Sequence, residues 1–173
     1  LNFWKGRSVF ITGHTGFKGG WLSLWLSQLG AKVYGYSLKP PTSENFFNAV
    51  NLEERIQNSF IGDICDKIQL TKSMKEAQPS VVFHLAAQPL VRNSYNNPIE
   101  TFTTNVIGTA NILEATRQIE TVEAIVNVTT DKVYENQERG FSFKENDRLG
   151  GFDPYSSSKA CAENITTSYR HSF

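Results

Sequence analysis

Apolar residues along the chain fall into two alternating patterns. Short runs such as Val9-Phe10-Ile11 and Val81-Val82-Phe83 are separated by longer stretches in which apolar positions recur every three or four residues. A short apolar run bounded by turn residues predicts a buried strand, and the 3.6-residue recurrence predicts an amphipathic helix. Strands are therefore expected at 8–12, 32–37, 57–61, 81–85 and 123/124–128, and helices at 18–29, 66–76, about 98–116 and 154–170. Gly30 suits the C-terminal cap of the first helix, Asp66 the N-cap of the second and Pro98 the first turn of the third. Lys39-Pro40-Pro41-Thr42-Ser43 is a rigid loop that no helix or central strand accepts, with a short helix expected at 46–50. Residues 88–97 read as irregular, and a polar loop follows the fifth strand as far as residue 153.

Strands alternating with helices in this way indicate right-handed βαβ units and a parallel sheet. The expected fold is α/β, a Rossmann-like doubly wound parallel sheet of at least five strands in the order 3-2-1-4-5. The 173 residues suit one domain, 1–173, of the dinucleotide-binding kind. The chain stops just after a helix, whereas a six- or seven-stranded sheet needs a further crossover. Two alternatives follow: a compact five-stranded domain, or the front part of a longer enzyme truncated before a C-terminal substrate domain. Leu1 in place of an initiator Met points to a missing first residue.

Formal net charge is zero and no basic run stands out, so no nucleic-acid or anionic-membrane partner is expected. No apolar stretch approaches the roughly 18 residues of a membrane span. The start, Leu1 to Lys5, lacks the apolar core of a signal peptide, so a cytoplasmic protein is expected. Cys65 and Cys161 stand in no metal or redox spacing and read as reduced thiols, wholly or partly buried. His14, His84 and His171 are scattered, and no structural metal is expected.

Candidate chemistry begins at Thr12-Gly13-His14-Thr15-Gly16-Phe17-Lys18-Gly19, between the first strand and the first helix. Three glycines spaced three apart in that context bring backbone N–H groups and the positive end of a helix dipole to a phosphate. Gly13 permits the tight turn, Gly16 the approach of a pyrophosphate, and Gly19 close packing of helix on strand. The bland alternative is an ordinary glycine-rich turn. Asp63-Ile64 ends the third strand, where a carboxylate suits an adenine amino group, and the small residues of Leu85-Ala86-Ala87 leave the fourth. Thr130-Asp131-Lys132 follows the fifth strand, and Tyr155 and Lys159 lie one turn apart on one face of the last helix. Carboxyl ends of parallel strands are where such sheets bind ligands. Alone, the Tyr/Lys pair reads equally well as two exposed helix residues. Trp21, Trp25, Phe10 and Phe17 read as core or helix packing.

Taken together, Thr12 to Gly19, Asp63-Ile64, His84-Leu85-Ala86-Ala87, Thr104-Asn105 with Gly108-Thr109, and Tyr155/Lys159 resemble the extended short-chain dehydrogenases/reductases of the nucleotide-sugar-modifying branch. Residues 13–19, Gln88-Pro89-Leu90-Val91-Arg92 and Thr130-Asp131-Lys132 are similar to the CDP-glucose 4,6-dehydratases of that branch. The resemblance covers the whole chain but about half of a typical member. It implies an NAD-dependent internal redox dehydration: hydride leaves C4 of the hexose, water leaves across C5 and C6, and the hydride returns to C6, giving a 4-keto-6-deoxy sugar. GDP-mannose 4,6-dehydratases, UDP-sugar 4-epimerases and a non-catalytic dinucleotide-binding module are the alternatives.

The resemblance further implies a cofactor site of Gly13, Thr15, Gly16, Phe17, Gly19, Asp63, Ile64, Leu85, Ala86, Ala87, Thr104, Tyr155 and Lys159. The implied substrate contacts are Gln88, Thr130 and Tyr155. Tyr155 becomes the base for the C4 hydroxyl, its acidity raised by Lys159 and the cationic nicotinamide. Thr130 holds the C4 oxygen, Asp131 protonates the departing C6 hydroxyl, and Lys132 removes the C5 proton where related enzymes carry Glu. A neutral Lys132 needs desolvation or a nearby positive charge; its other reading is a surface cation partnered by Asp131. The second strand ends Tyr36-Ser37-Leu38-Lys39, without the carboxylate common to NAD sites, and Lys39 tolerates a 2′-phosphate. NADP thus stays open beside NAD, which a reaction starting from oxidised cofactor favours. Relatives pair helices 98–116 and 154–170 across a homodimer, so Ile107, Ile112, Leu113, Ala160, Ala162 and Ile165 are candidate seam residues; their other reading is burial within the chain.

Overall fold

The computed structural model describes residues 2–136, 140 and 142–173. In chain order the elements are β1 Ser8–Thr12, α1 Phe17–Gln28, β2 Lys32–Ser37, α2 Phe46–Ala49, α3 Leu52–Arg55, β3 Asn58–Ile61, α4 Lys67–Ala77 and β4 Val81–His84. There follow α5 Val91–Asn96, α6 Pro98–Phe102, a π-helical segment Thr103–Ile107, α7 Gly108–Arg117, β5 Ala124–Asn127, a 3₁₀ turn Asp131–Val133 and α8 Pro154–Ser172. They form two compact units: Leu1–Ala86 with Glu114–Val128, and Ala87–Leu113 with Thr129–Phe173.

The first unit holds the sheet, in the order β3-β2-β1-β4-β5 with every pairing parallel. Because successive side chains on a strand point to opposite faces, Val9 and Ile11 share one face of β1. They form a buried cluster with Leu26 of α1 and Val33 of β2. Phe10 points the other way, fully buried, its ring stacked on Tyr36. The order reverses direction at β1, so right-handed crossovers send α1 and α4 to opposite faces, the doubly wound arrangement. Asp66 caps α4 by accepting from the N–H groups of Ile68 and Gln69. That helix buries Leu70, Met74 and Ala77 and packs on β1 and β2.

Expected strands and helices are found within a residue or two of their bounds, and three features differ. A second short helix, α3, follows α2; it starts from Asn51 in the left-handed region, with no side-chain cap to betray it. The stretch read as irregular contains α5. The long helix expected from Pro98 is interrupted by the π-helical segment, and helical backbone runs through it to Arg117. A 3₁₀ turn and an antiparallel bridge, Tyr134 to Leu149, lie within the expected polar loop, whose residues 137–139 and 141 fall outside those described.

The aromatic residues divide. Phe10 is core, but Phe17, Trp21 and Trp25 are exposed along one face of α1, the rings of Phe17 and Trp21 meeting that of Phe46 in α2. Their recurrence every four residues gave them a common face; it did not say whether anything covers it. Of the candidate seam residues, Ile112, Leu113, Ala160 and Ala162 are buried within the chain, so their second reading holds. Ile107 is exposed and Ile165 half-buried. Cys65 and Cys161 are half-buried and are not joined in a disulfide. No helix among the described residues is long and apolar enough to cross a membrane.

Candidate cofactor and catalytic site

In the first unit, the glycine turn leaves β1 in a shape that side chains would obstruct. Gly13 has φ +79°, and a Cβ there would stand 2.8 Å from the Ala86 backbone nitrogen. A Cβ on Gly19 would stand 2.1 Å from the Gly13 carbonyl oxygen, so α1 approaches the turn as closely as backbone allows. Gly16 is the N-cap of α1 and offers no side-chain cap, which leaves first-turn amides to meet an anion. Thr15 is different: its buried hydroxyl pairs with Ser37 Oγ at 2.8 Å and donates to the Leu38 carbonyl at 2.9 Å. Its side chain ties the turn to the end of β2 and is not presented to a ligand. The exposed Phe17 ring likewise leaves its backbone as the part that faces the turn.

Thr12 and His84, at the ends of neighbouring strands, organise the adjoining exit. Thr12 Oγ1 lies 2.7 Å from His84 Nδ1 and accepts from the N–H groups of Leu85 and Ala86, both at 3.1 Å. One hydroxyl thus fixes the path of the chain out of β4. At the end of β3, the exposed Asp63 accepts at Oδ1 from the Cys65 N–H and at its carbonyl from the Tyr36 hydroxyl. The Ile64 side chain is buried, so its backbone is what a ligand could meet. Tyr36 fills the place above Gly62; burial, assisted by Asp66, Asp63 and Cys65, pushes its phenol up to about 12.

The second unit gathers the residues with acid–base chemistry. Asp153 caps α8, accepting from Ser156 N–H at 2.9 Å and Ser156 Oγ at 2.5 Å. Burial opposes the Asp153 charge, but these hydrogen bonds outweigh it and hold the carboxyl below its ordinary value. Pro154 begins α8, and Tyr155 follows, buried. Burial raises the Tyr155 phenol; the nearby Thr130 hydroxyl opposes this, and the charges of Asp153 and Asp131 add to it. In the free chain desolvation dominates and favours the neutral phenol. Lys159 is itself only 6% exposed, and burial draws it down to about 8 against the opposing charge of Glu163.

Thr130 also donates to Asp131 Oδ1 at 3.0 Å and accepts from the Lys132 N–H at 3.3 Å, capping the 3₁₀ turn. Asp131 and Lys132 are both exposed. The desolvation that a basic Lys132 needs is therefore not supplied by the described residues. Thr104 lies half-buried in the π-helical segment, and Ala87 is half-buried where the unit begins.

The Gln88 side chain is engaged within the chain. Its side-chain amide donates to Thr101 Oγ1 at 2.8 Å and Leu90 O at 3.2 Å and accepts from Leu90 N–H at 2.7 Å. Its backbone is clamped by Asn105, which accepts from Gln88 N–H and donates to Gln88 O and to Ser158 Oγ. Ser158 in turn donates to the Tyr155 carbonyl at 2.7 Å. Gln88 thus sets the backbone path, its polar atoms spent inside the chain.

Residues 10–173 match the family described as GDP-mannose 4,6 dehydratase. The chain belongs to that family. It is 52% identical over 172 residues to the CDP-glucose 4,6-dehydratase of Salmonella typhimurium, an alignment covering 99% of this chain and 48% of that protein. A dTDP-glucose 4,6-dehydratase of Xanthomonas campestris is 29% identical over 172 residues, covering 94% of this chain and 49% of that one. The solved UDP-glucose 4-epimerase of Brucella ovis in complex with NAD superposes with a TM-score of 0.82 at 26% identity, covering 97% of this chain and 49% of that one. The chain spans about half the length of the curated relatives it matches.

Within this family member, two site-building residues went unassigned by sequence reasoning. Thr129 donates its hydroxyl to Glu163 Oε1, and Glu163 stands one helical turn beyond Lys159. The four-residue spacing from Tyr155 to Lys159 to Glu163 was the available signal. The three fall on one face of α8.

Proposed function

We propose that this chain is the dinucleotide-binding and catalytic portion, residues 1–173, of a CDP-glucose 4,6-dehydratase, with NAD as cofactor and most of the nucleotide-sugar pocket in a further domain. The observation that carries this reading is the 52% identity to the Salmonella CDP-glucose enzyme, against 29% to a dTDP-glucose dehydratase. A dinucleotide fits the glycine turn, since a Cβ at Gly13 or Gly19 would meet backbone and the first turn of α1 has no side-chain cap. The NAD-bound Brucella epimerase, close in fold, supports the same choice. Backbone N–H groups of residues 17–19 would meet the pyrophosphate, the Gly16 N–H being spent on the Gly13 carbonyl at 3.0 Å, and Asp63 the adenine.

Bound NAD supplies a hydride acceptor that returns the hydride within each turnover. Tyr155 takes the proton of the C4 hydroxyl. Its phenol is held neutral by burial in the free chain, so the positive charges of Lys159 and the oxidised nicotinamide must bring it into range. Thr130, close enough to Tyr155 to influence its phenol, orients the C4 oxygen. With C4 a ketone, the C5 proton is acidic; Lys132 removes it while Asp131 protonates the departing C6 hydroxyl. Closure of the nucleotide-sugar pocket over the exposed Lys132 would supply the desolvation its role requires.

The test is to incubate the chain with CDP-glucose and NAD in D2O and to look for a 4-keto-6-deoxy sugar by its alkali-induced chromophore. Product bearing deuterium at C5 supports the dehydratase. Conversion to another sugar without deuterium at C5 favours an epimerase. No conversion, with NAD binding seen by calorimetry, assigns turnover to the longer protein, to be assayed at the length of the Salmonella relative. A homodimer through helices 98–116 and 154–170 would rest on Ile107 and Ile165, and sedimentation of Ile107→Asp against wild type tests it.

A further inference from the structure

A buried ammonium is expensive unless a counter-charge and hydrogen bonds accompany it. Lys159 is such a group, and Glu163 lies four residues on, at the spacing where helix side chains meet. Glu163 is half-buried, and its Oε1 accepts a hydrogen bond from the Thr129 hydroxyl, which fixes the carboxylate. Thr129 reaches Glu163, and its neighbour Thr130 begins the 3₁₀ turn that packs on α8. The segment leading into the 3₁₀ turn is therefore fastened to α8 through Glu163, one turn beyond Lys159.

Other charges stand around α8. The elements packed on it carry Arg92 and Tyr95 on α5, Glu100 on α6, and Asp131 and Lys132 on the 3₁₀ turn, each exposed to solvent. Cys161, Tyr169, Arg170 and His171 lie along α8 itself. Glu163 is the charge that opposes the effect of burial on Lys159. We propose that Glu163, pinned by Thr129, is the counter-ion of the buried Lys159 and positions it one turn from Tyr155, acting through that lysine rather than on substrate. The use of Lys159 in catalysis rests on the dehydratase reading; the ion pair does not.

The experiment is NMR titration of the chain labelled with 13Cε-lysine and 13Cδ-glutamate, with Lys159 and Glu163 assigned by loss of their signals in Lys159→Arg and Glu163→Gln. Lys159 is expected to titrate near pH 8, and the Glu163 signal to show a second inflection at the same pH. In Glu163→Gln the Lys159 midpoint falls by about one pH unit. Glu163→Asp, which keeps the charge, returns it toward the wild-type value. A merely structural glutamate would give no second inflection and an unmoved midpoint in Glu163→Gln, and either result overturns the proposal. Should Glu163→Gln fail to fold by circular dichroism, the wild-type signal is assigned through Glu163→Asp and decides alone. A confirmed ion pair in a protein without dehydratase activity would discard the catalytic reading and leave this one standing.

Discussion

Gly19 is the residue at which the general helix rule reverses. Alanine normally exceeds glycine in a helix interior by about 1 kcal/mol, yet here its methyl would stand 2.1 Å from the Gly13 carbonyl oxygen, a backbone atom with nowhere to go. Gly19→Ala should lower the melting temperature and abolish NAD binding in calorimetry under conditions that saturate wild type. At Gly20 a Cβ would first meet the Phe46 ring, at 2.8 Å, which can swing aside, so Gly20→Ala should be clearly milder. At the other half of the chemistry, Tyr155→Phe should cost about 10²- to 10⁴-fold in turnover while NAD binding survives; undiminished turnover of the full-length enzyme carrying Tyr155→Phe would remove Tyr155 as the base. Such residues were legible because their requirements are local: a glycine turn and a Tyr-x-x-x-Lys face are written in consecutive positions. The surroundings of Gln88 were not legible, for the opposite reason. Its partners, Thr101 and Asn105, lie more than ten residues away, and only the folded chain shows its amide already occupied.

At the scale of elements, the strands and long helices followed from periodicity, whereas α3, α5 and the π-helical segment did not. α3 and α5 are short and have no side-chain cap, so neither period nor punctuation marks them. The π-helical segment depends on a tertiary contact. Asn105 stands in it, 1% exposed, and its amide bridges the Gln88 backbone and Ser158 Oγ. Single π turns commonly mark functional positions, and this one sets the chain leaving Ala87 against the start of α8. Asn105→Ala leaves the buried N–H and C=O of Gln88 without that partner. At about 1–3 kcal/mol per stranded group, it should lower stability to urea by about 2–4 kcal/mol. Asp153→Ala, which removes a solvent-edge cap from α8, should cost about 1 kcal/mol. Equal losses in the two variants would mean that the clamp carries no more weight than an ordinary cap.

For the whole molecule, the response to pH is set by a few buried groups rather than by its zero formal charge. His14 is fully buried inside the glycine turn, its Nε2 2.8 Å from Ser59 Oγ and its ring filling the space a Cβ on Gly35 would need. Burial lowers its imidazole from 6.5 to about 4. Between those values the unfolded chain binds a proton that the folded chain refuses, so stability rises with pH across the window. The contribution is fully present above 6.5 and lost as pH falls through 4, about 3 kcal/mol in all. Lys159, drawn down from 10.5 to about 8, acts in the same sense at higher pH, stability rising between the two values. Tyr36, raised from 10.0 to about 12, acts in the opposite sense, its contribution being lost as pH climbs through that range. Glu114, lowered from 4.5 to about 2 by Arg117, contributes below 4.5, so it meets the His14 window only at its acid end. Urea unfolding of the wild-type chain should therefore steepen with pH between 4.5 and 6.5, and His14→Gln should flatten that slope while leaving the alkaline behaviour intact. A slope that persists in His14→Gln would assign acid sensitivity to other groups and make His14 a packing residue alone.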